Sequence, residues 1–247
     1  MLDTLTVVFV KWGTKYNDDH LVDLFEQIYS RIGDYIDVDV IRFIESRKVQ
    51  YKFFCDTFDW NKYNLSDKHP SANIQVSIIP QDLHLKGVWN KLAMFRPGFS
   101  DGKTLYFDLD TIIQDDIIPF VQSIKWNKLT LVDCHWKSVD IITPTNYDVT
   151  WNSSLMAWDG TNPQIHKVWD HFYNSGYKDY FFRKYVKGMD RFLYHEQEVL
   201  GKDLFSFFLH KYILSCKYEN HKKLAPIVTF EELDFGSADI ISLFKTN

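Results

Sequence analysis

Short apolar runs separated by polar turns organise the first half of the chain. Residues 5–10 form a nearly continuous apolar run with β-branched side chains, which is typical of a strand buried on both faces. Between residues 21 and 32, apolar side chains recur at spacings of three and four, which predicts a helix that begins at Asn17 or Asp18 and ends at Gly33. Further strand-like runs occupy residues 37–44, 51–55, 74–79 and 102–110. A strand, a helix and more strands in succession predict an α/β fold with a central, mostly parallel sheet flanked by helices.

The second half of the chain is less regular. Residues 128–134 and 153–158 resemble strands, and residues 163–176 predict a helix with a proline near its start and a glycine at its end. Aromatic residues are dense between Tyr177 and Tyr218, where the pattern does not decide between strand and helix. No repeat, low-complexity tract or linker interrupts the chain, so a single domain is predicted.

Composition and charge describe an ordinary folded protein and argue against one class of partner. Hydrophobic residues make up 45% of the 247 residues, and charged residues 25%. A net charge of −5 argues against a nucleic-acid partner, because phosphate backbones require clustered Lys and Arg. If the partner is an anionic nucleotide, a mildly acidic chain needs a local counter-charge, which a bound metal ion would provide.

The cysteines and the N-terminal residues bear on the compartment. Cys55, Cys134 and Cys216 are odd in number, far apart and without a CxxC pair, which favours a reducing environment with buried thiols. The first residues lack the basic start and long apolar stretch of a signal peptide, and no apolar run is long enough to span a bilayer. We therefore expect a soluble, cytoplasmic protein without a transmembrane segment.

The segment LYFDLD, residues 105–110, places two aspartates one residue apart after an apolar run. If the strand continues through them, Asp108 and Asp110 point to the same side, about 6–7 Å apart. Open α/β sheets bind ligands at the carboxyl ends of their strands, and two neighbouring carboxylates suit Mg²⁺ or Mn²⁺. A pair of solvated carboxylates in a turn is the plain structural alternative.

A second chemistry uses the same residues. FDLDT, residues 107–111, matches the nucleophile motif of haloacid-dehalogenase-type phosphatases, in which Asp108 would attack phosphorus. That motif normally lies on the first strand of its domain, whereas at least three strand-like runs precede it here. No convincing later acidic motif follows, so this alternative ranks below a metal-binding pair.

Four segments, taken in order, resemble one family. They are VVFVKWGTKY near the N-terminus, VWNKLAMFRPG at residues 88–98, LYFDLD, and WNSSLMAWDG at residues 151–160. Together they resemble the GT-A-fold nucleotide-sugar glycosyltransferases, in particular relatives of glycogenin and of the lipooligosaccharide galactosyltransferases. The resemblance implies a single-domain GT-A (Rossmann-like) fold over residues 1–247, with a nucleotide-binding half near 1–112 and an acceptor and sugar half near 113–247.

The same resemblance implies a chemistry. It predicts a metal-dependent hexosyltransferase that uses Mn²⁺ or Mg²⁺ and a nucleoside-diphosphate sugar, with a UDP-sugar favoured, and that retains the anomeric configuration. The acceptor would be a glycan, a lipid or a protein. Asp108 and Asp110 would hold the metal ion, and Asp108 would also face the donor.

The donor site implied by the resemblance begins at the turn after the first strand, KWGTKY. This turn lies where the family receives the nucleoside, so Gly13 would let the backbone approach the base, while Lys11, Trp12 and Tyr16 would pack on it or bond to it. Lys91 lies where the family has a basic side chain for the sugar-phosphate, and a lysine is a compact cation able to meet a phosphate.

The resemblance also implies residues around the transferred sugar. Asn152 would bond to sugar hydroxyls, and Ser153 would leave room for a ring. Asp190 matches an acidic residue near the reacting centre, where Arg191 replaces the family's glutamine. Lys217, in the segment SCKYE, would assist at the diphosphate, although a cysteine replaces the family's tyrosine before it.

The largest departure from the family lies near the C-terminus. Relatives carry Phe-His-Gly followed by Lys-Pro there, and their histidine is a metal ligand, whereas this chain has VTFEELDFG. Glu231 is the predicted replacement for that histidine, because a carboxylate also suits Mn²⁺. The missing histidine leaves a second hypothesis open, a nucleotide-sugar-binding module that has lost turnover.

Overall fold

The computed structural model describes residues 5–33, 49–134, 149–186, 188–215 and 225–229. Within these ranges the strands are β1 (Leu5–Lys11), β2 (Val49–Cys55), β3 (Asn73–Ile78), β4 (Lys103–Phe107), β5 (Thr111–Ile113), β6 (Leu129–Asp133), β7 (Trp151–Asp159), β8 (Phe205–Phe207), β9 (Ile213–Ser215) and β10 (Ile227–Thr229). The α-helices are α1 (Asp18–Gly33), α2 (Trp60–Tyr63), α3 (Leu65–Lys68), α4 (Ile118–Gln122), α5 (Pro163–Trp169), α6 (Lys178–Lys184), α7 (Met189–His195) and α8 (Gln197–Leu200). A 3₁₀ helix covers Gly87–Phe95, between β3 and β4.

A seven-stranded sheet forms the centre of the fold, in the order β3-β2-β1-β4-β7-β6-β8. β1 is parallel to β2 and β4, and β2 is parallel to β3. β7 is antiparallel to β4 and β6, and β8 is parallel to β6, so only β7 opposes the other strands. The predicted α/β fold with a mostly parallel sheet is confirmed. A second sheet has the order β5-β10-β9.

Alternate residues of β1 enter two apolar clusters on opposite faces of this sheet. Val8 belongs to the cluster that contains Trp158 and Phe192 of α7. Phe9 belongs to the other cluster, which contains Phe25 of α1. All seven residues of β1 are buried, as expected of a strand covered on both faces.

Most elements predicted from the sequence are present. α1 begins at Asp18, where the side chain of Asn17 accepts a hydrogen bond from the His20 N–H at 3.2 Å, as an N-cap does. α5 begins at Pro163 and continues as a π-helical turn over Asp170–Asn174, so the helix predicted at 163–176 changes its hydrogen bonding midway. The strands predicted at 51–55, 74–79, 128–134 and 153–158 are β2, β3, β6 and β7. The strand predicted at 37–44 lies outside the described residues.

The aromatic region after Tyr177 is largely helical within the described ranges, and a buried carboxylate ties its helices together. Glu196 follows α7 and is 8% exposed. It accepts a hydrogen bond from the Tyr185 hydroxyl, and it lies 3.0 Å from both Lys184 Nζ and His171 Nε2. Burial alone would raise the pKa of Glu196, but the hydrogen bonds outweigh burial and lower it.

Two of the three cysteines lie within the described residues. Cys55 and Cys134 are buried and not in a disulfide, and Cys216 lies outside the described residues. Among the described helices, none has the length and apolar character needed to traverse a lipid bilayer.

Candidate functional site

The two aspartates of LYFDLD lie in a turn that leaves the carboxyl end of β4. β4 ends at Phe107, and the Thr111 N–H donates to the Asp108 carbonyl at 3.0 Å. The prediction that the strand runs through both aspartates is therefore wrong. Leu109, in the middle of this turn, is 3% exposed and packs into the apolar cluster on the α1 side. The two aspartates on either side of it remain close enough for the charge of Asp108 to act on Asp110. The Asp108 and Asp110 side chains remain 22% and 20% exposed.

Asp108 is held from three directions. Its side chain accepts hydrogen bonds from the Tyr106 hydroxyl and, at 2.7 Å, from Lys91 Nζ. Its backbone N–H donates to the Ser154 carbonyl of β7 at 2.7 Å. Tyr106 is fully buried, and burial together with the charge of Asp108 raises the pKa of its hydroxyl far above the usual value. The hydroxyl therefore keeps its proton and acts as a donor that fixes Asp108.

Asp110 has a perturbed carboxylate. Its Oδ2 accepts a hydrogen bond from the Tyr16 hydroxyl at 2.8 Å, and the ammonium of the exposed Lys15 lies 4.0 Å away. Loss of solvent, and then the negative charge of Asp108, raise the pKa of Asp110 to about 6. Two neighbouring carboxylates that repel each other are a fitting pair of ligands for a divalent cation, which would relieve that repulsion.

Lys91 brings a buried positive charge to the same edge of the sheet. It lies on the 3₁₀ helix Gly87–Phe95 and is 4% exposed. Its Nζ donates a hydrogen bond to Asp108 and also lies 3.5 Å from the Ser153 carbonyl oxygen. A buried ammonium needs partners of this kind, and both come from residues at the carboxyl end of β4 and on β7.

Asp190 approaches this centre from α7. Its Oδ1 accepts a hydrogen bond from the Ser153 N–H at 2.9 Å, which ties α7 to β7. Burial raises the pKa of Asp190, while the nearby charge of Lys91 and the bond to Ser153 oppose that shift. Asn152 lies next along β7, and its Oδ1 accepts from the Ser154 N–H at 2.7 Å.

The turn after β1 holds a second group of predicted residues. Gly13 has a φ of +64°, and a side chain added there would meet nothing within 4 Å, so space lies above its backbone. Its N–H donates to Asp56 Oδ2 at 2.7 Å. Trp12 is partly buried and packs against the cluster that contains Trp158.

Lys11 has partners of its own within the protein. Its Nζ lies 2.9 Å from Asp18 and 3.4 Å from Asp56, and it donates to the Thr57 hydroxyl at 3.1 Å. Burial alone would lower the pKa of Lys11, but the bond to Asp18 and the charges of both carboxylates raise it. The Lys11 side chain is 4% exposed, so the geometry gives no support to the nucleoside contact predicted for it.

The structure thus brings together six of the predicted residues, Tyr16, Lys91, Asp108, Asp110, Ser153 and Asp190, with Asn152 adjacent on β7. Lys217 and Glu231 lie outside the described residues, so their roles stay predictions. In the described part of the chain, no group of three or more His, Cys, Asp and Glu side chains forms a metal-binding set.

Two residues of this edge were not predicted from the sequence. Tyr106 lies two residues before Asp108 on β4, and the period of two along a strand is the signal that places its side chain on the same side. Asp56 directly follows β2, and the carboxyl ends of neighbouring parallel strands share one edge of a sheet.

By sequence, the chain matches no protein-family model and none of the curated proteins. By structure, it is similar to the galactosyltransferase LgtC in complex with donor and acceptor sugar analogues, with a TM-score of 0.56 and 11% identity over 98% of this chain and 95% of that one. The chain has the GT-A fold.

Two further solved structures support this assignment. The glycosyltransferase GlyE of Streptococcus pneumoniae TIGR4 has a TM-score of 0.57 and 12% identity, over 93% of this chain and 55% of that one. Mouse xyloside xylosyltransferase 1 has a TM-score of 0.53 and 9% identity, over 92% of this chain and 97% of that one. The predicted resemblance to GT-A-fold proteins is confirmed for the fold, and the phosphatase alternative has no structural counterpart among these neighbours.

Proposed function

We propose that the protein is a glycosyltransferase that moves a sugar from a nucleoside-diphosphate sugar, with UDP as the favoured nucleotide, to an acceptor hydroxyl. One observation carries this proposal. Asp108, Asp110, Lys91 and Asp190 meet at the carboxyl edge of a GT-A sheet, where open α/β sheets bind their ligands. The similarity to three solved glycosyltransferases supports the same class of reaction.

In this proposal the bond between the anomeric carbon and the phosphate oxygen breaks, and its electron pair stays on the nucleoside diphosphate. The acceptor oxygen forms the new bond to the anomeric carbon, and its proton passes to the departing diphosphate. Retention of the anomeric configuration is part of the proposal and rests on the sequence resemblance. The acceptor class, whether glycan, lipid or protein, is left to the acceptor assay.

Mn²⁺ or Mg²⁺ fits the carboxylate pair, because hard oxygen donors and mutual repulsion both favour a small divalent cation. Asp108 and Asp110 would hold the ion, and when bound it would stabilise the negative charge of the leaving diphosphate. Tyr106 and Tyr16 orient the two carboxylates through their hydroxyl groups. Lys91 supplies a fixed positive charge beside Asp108.

The protein's other groups at this edge have orienting roles. Gly13 leaves space above its backbone for a base, with Trp12 and Tyr16 on the same turn. Asn152 and Ser153 present polar groups along β7 for sugar hydroxyls. Asp190, fixed through Ser153, would position the sugar and the acceptor.

A thermal-shift screen with UDP, GDP, CDP and ADP, each with and without Mn²⁺, tests the donor site. At a ligand concentration about 100 times its dissociation constant, the native state gains about 2.7 kcal/mol. For a chain of this size that corresponds to a rise in melting temperature of about 5–10 °C. We expect this rise with UDP and Mn²⁺ together, and we expect Asp110→Asn to remove it.

Two comparisons make the screen decisive. Asp82 is an exposed carboxylate outside the Asp108–Asp110 turn. Asp82→Asn is therefore the matched control and should keep the full UDP response. A UDP shift that is the same with and without Mn²⁺ would contradict the metal part of the proposal. UDP release from a panel of UDP-sugars with candidate acceptors then tests transfer, and binding without any turnover across the panel would assign an inactive donor-binding module.

A further inference from the structure

Helix α6 presents an unusual exposed surface, which we call the α6 face: Tyr177, Tyr180, Arg183, Lys184 and Val186. Tyr177 is 61% exposed, Tyr180 47% and Val186 79%, which are high values for aromatic and aliphatic side chains. Exposed apolar residues that occur singly need no explanation, but a group of them along one helix does.

The α6 face is continuous. The Tyr177 and Tyr180 rings lie 6.4 Å apart, and Lys184 Nζ lies 5.4 Å from the centre of the Tyr180 ring. Arg183 is exposed and three residues beyond Tyr180, which places both on one side of the helix. The opposite side is used by the core, since Phe181 is 3% exposed and packs edge-on against Phe192 at 5.1 Å.

The charge of this segment opposes that of the rest of the chain. Residues 177–187 contain four Lys or Arg and one Asp, a net charge of +3, whereas the whole chain carries −5. The remainder therefore carries −8, the difference between these two values. The segment's count includes Lys178, which donates to the Leu83 carbonyl at 3.0 Å, and Lys187, which lies outside the described residues. A basic segment on an acidic protein favours approach to an anionic surface through that segment. Lys184 is partly neutralised by Glu196, so Arg183 is the principal exposed cation of the face.

Tyrosine rings, an aliphatic side chain and basic residues together match the composition of surfaces that lie at the membrane–water interface. Tyrosine is enriched at that interface because its ring is apolar and its hydroxyl polar. Basic residues near an anionic leaflet are attracted to it, and apolar side chains enter the acyl boundary.

The α6 face lies next to the proposed active site. α6 leads through Val186 to Gly188, where an added side chain would overlap the Val88 side chain, so these two segments touch. Val88 is 40% exposed and lies on the same 3₁₀ helix as Lys91. Gly188 lies two residues before Asp190. Apolar side chains therefore border the Asp190 side of the site.

We propose that the α6 face docks on an anionic lipid bilayer and holds the Asp190 side of the site towards the membrane surface. The attraction of the basic residues brings the protein to the surface, and Tyr177, Tyr180 and Val186 enter the interface. The docking itself does not depend on the proposed sugar transfer. If both hold, an acceptor carried in the bilayer would meet the site at this border.

Co-sedimentation of the full chain with lipid vesicles, in the absence of nucleotide, tests the proposal. Vesicles of phosphatidylcholine alone are compared with vesicles that contain about one third phosphatidylserine. We expect binding to the anionic vesicles, weaker binding to the neutral ones, and a loss of binding as salt increases, because screening shortens the range of the attraction. We expect Val186→Asp and Arg183→Glu each to weaken binding roughly tenfold or more.

Val199→Asp is the matched control, because Val199 is also a highly exposed valine, at 67%, but lies on α8 outside the α6 face. It should bind vesicles like the unchanged protein. Thermal unfolding of each variant in solution shows whether it folds. Equal loss of binding in Val186→Asp and Val199→Asp would overturn the proposal, and so would an absence of binding to anionic vesicles.

A third result would reassign the face. Exposed tyrosine rings can also stack on sugar rings, so a panel of soluble oligosaccharides is tested with the same proteins. Oligosaccharide binding that Val186→Asp and Arg183→Glu abolish, without vesicle binding, would overturn membrane docking. UDP binding is measured separately, so a failed vesicle assay leaves the donor-site proposal untouched.

Discussion

Replacing Asp110 by asparagine should stabilise the metal-free protein. Asp110 lies beside Asp108 at the edge of the sheet, and its pKa is raised to about 6 by loss of solvent and by the charge of that neighbour. An asparagine has nearly the same shape, and its carbonyl oxygen can still accept the hydrogen bond from the Tyr16 hydroxyl. The substitution removes the buried charge together with its repulsion from Asp108 and keeps the local packing, so the gain measures the cost of ionising Asp110 in the native state.

The size and the direction of the stability change in Asp110→Asn follow from the raised pKa of Asp110. The pKa of Asp110 rises from 3.8 to about 6, so the native state binds the proton more tightly than the unfolded state does. The stability of the unchanged protein therefore falls as pH rises through this interval. At about 1.4 kcal/mol per pKa unit, ionised Asp110 destabilises the native state at neutral pH by roughly 2–3 kcal/mol. Asp110→Asn avoids that cost, which corresponds to a rise in melting temperature of about 5–10 °C.

Urea unfolding of both proteins in a metal chelator, at pH 7 and at pH 4, is the assay. The gain of Asp110→Asn should be present at pH 7 and should fall below about 1 kcal/mol at pH 4, where Asp110 is protonated in the native state. Asp82→Asn serves as the control and should stay within about 0.5 kcal/mol of the unchanged protein at both values. A variant that is no more stable at pH 7, or equally stabilised at both pH values, would refute the reasoning.

Three further substitutions test other contacts. Tyr106→Phe removes the buried hydroxyl that bonds to Asp108 and should lower the free energy of unfolding by about 1–3 kcal/mol in urea, and it should also weaken the Mn²⁺-dependent UDP shift. Gly160→Ala would place a Cβ 2.6 Å from the Ser100 carbonyl oxygen, so we expect a loss of about 1–3 kcal/mol in the same assay. Glu196→Gln removes a carboxylate whose pKa is lowered by its hydrogen bonds, so the stability it provides exists at neutral pH and is lost as pH falls. We expect that variant to lose about 1–3 kcal/mol at pH 7, with the difference shrinking in acid titrations as pH falls below the ordinary glutamate pKa of 4.5.

The pattern of hydrophobic residues was sufficient to predict the central elements of the fold. β1 is buried along its whole length, so its sequence has to be continuously apolar, and α1 buries one face, so its apolar residues recur at helical spacing. The region after Tyr177 was not predictable in this way. Its helices are short and contribute aromatic side chains to one large cluster from several directions, so no single period dominates.

Site residues whose location follows from their position in the fold could be predicted from the sequence. Ion pairs between side chains of distant elements could not be predicted as well. Asp108 and Asp110 follow a buried strand, and that placement can be read from the sequence. The pairing of Lys11 with Asp18 and Asp56 cannot, because the two carboxylates come from α1 and from the residue after β2. The turn at Leu109 was considered only as the alternative to a strand, since an apolar residue between two aspartates fits a strand as well as a buried turn.

The charges at the sheet edge indicate that a divalent metal ion and Lys91 would have different roles in binding the diphosphate. Asp108, Asp110 and Asp190 are three carboxylates around one buried ammonium, so these four side chains together carry an excess of two negative charges when all are ionised. Like charges about 4 Å apart repel by roughly 4 kcal/mol at the effective dielectric constant near a protein surface, so an incoming diphosphate would be opposed. Lys91 cannot offset this while it is bonded to Asp108 at 2.7 Å, whereas a divalent ion on the carboxylates would neutralise the excess negative charge. UDP binding without a metal would therefore require Lys91 to leave Asp108 for the diphosphate, and Lys91→Met would then abolish that binding.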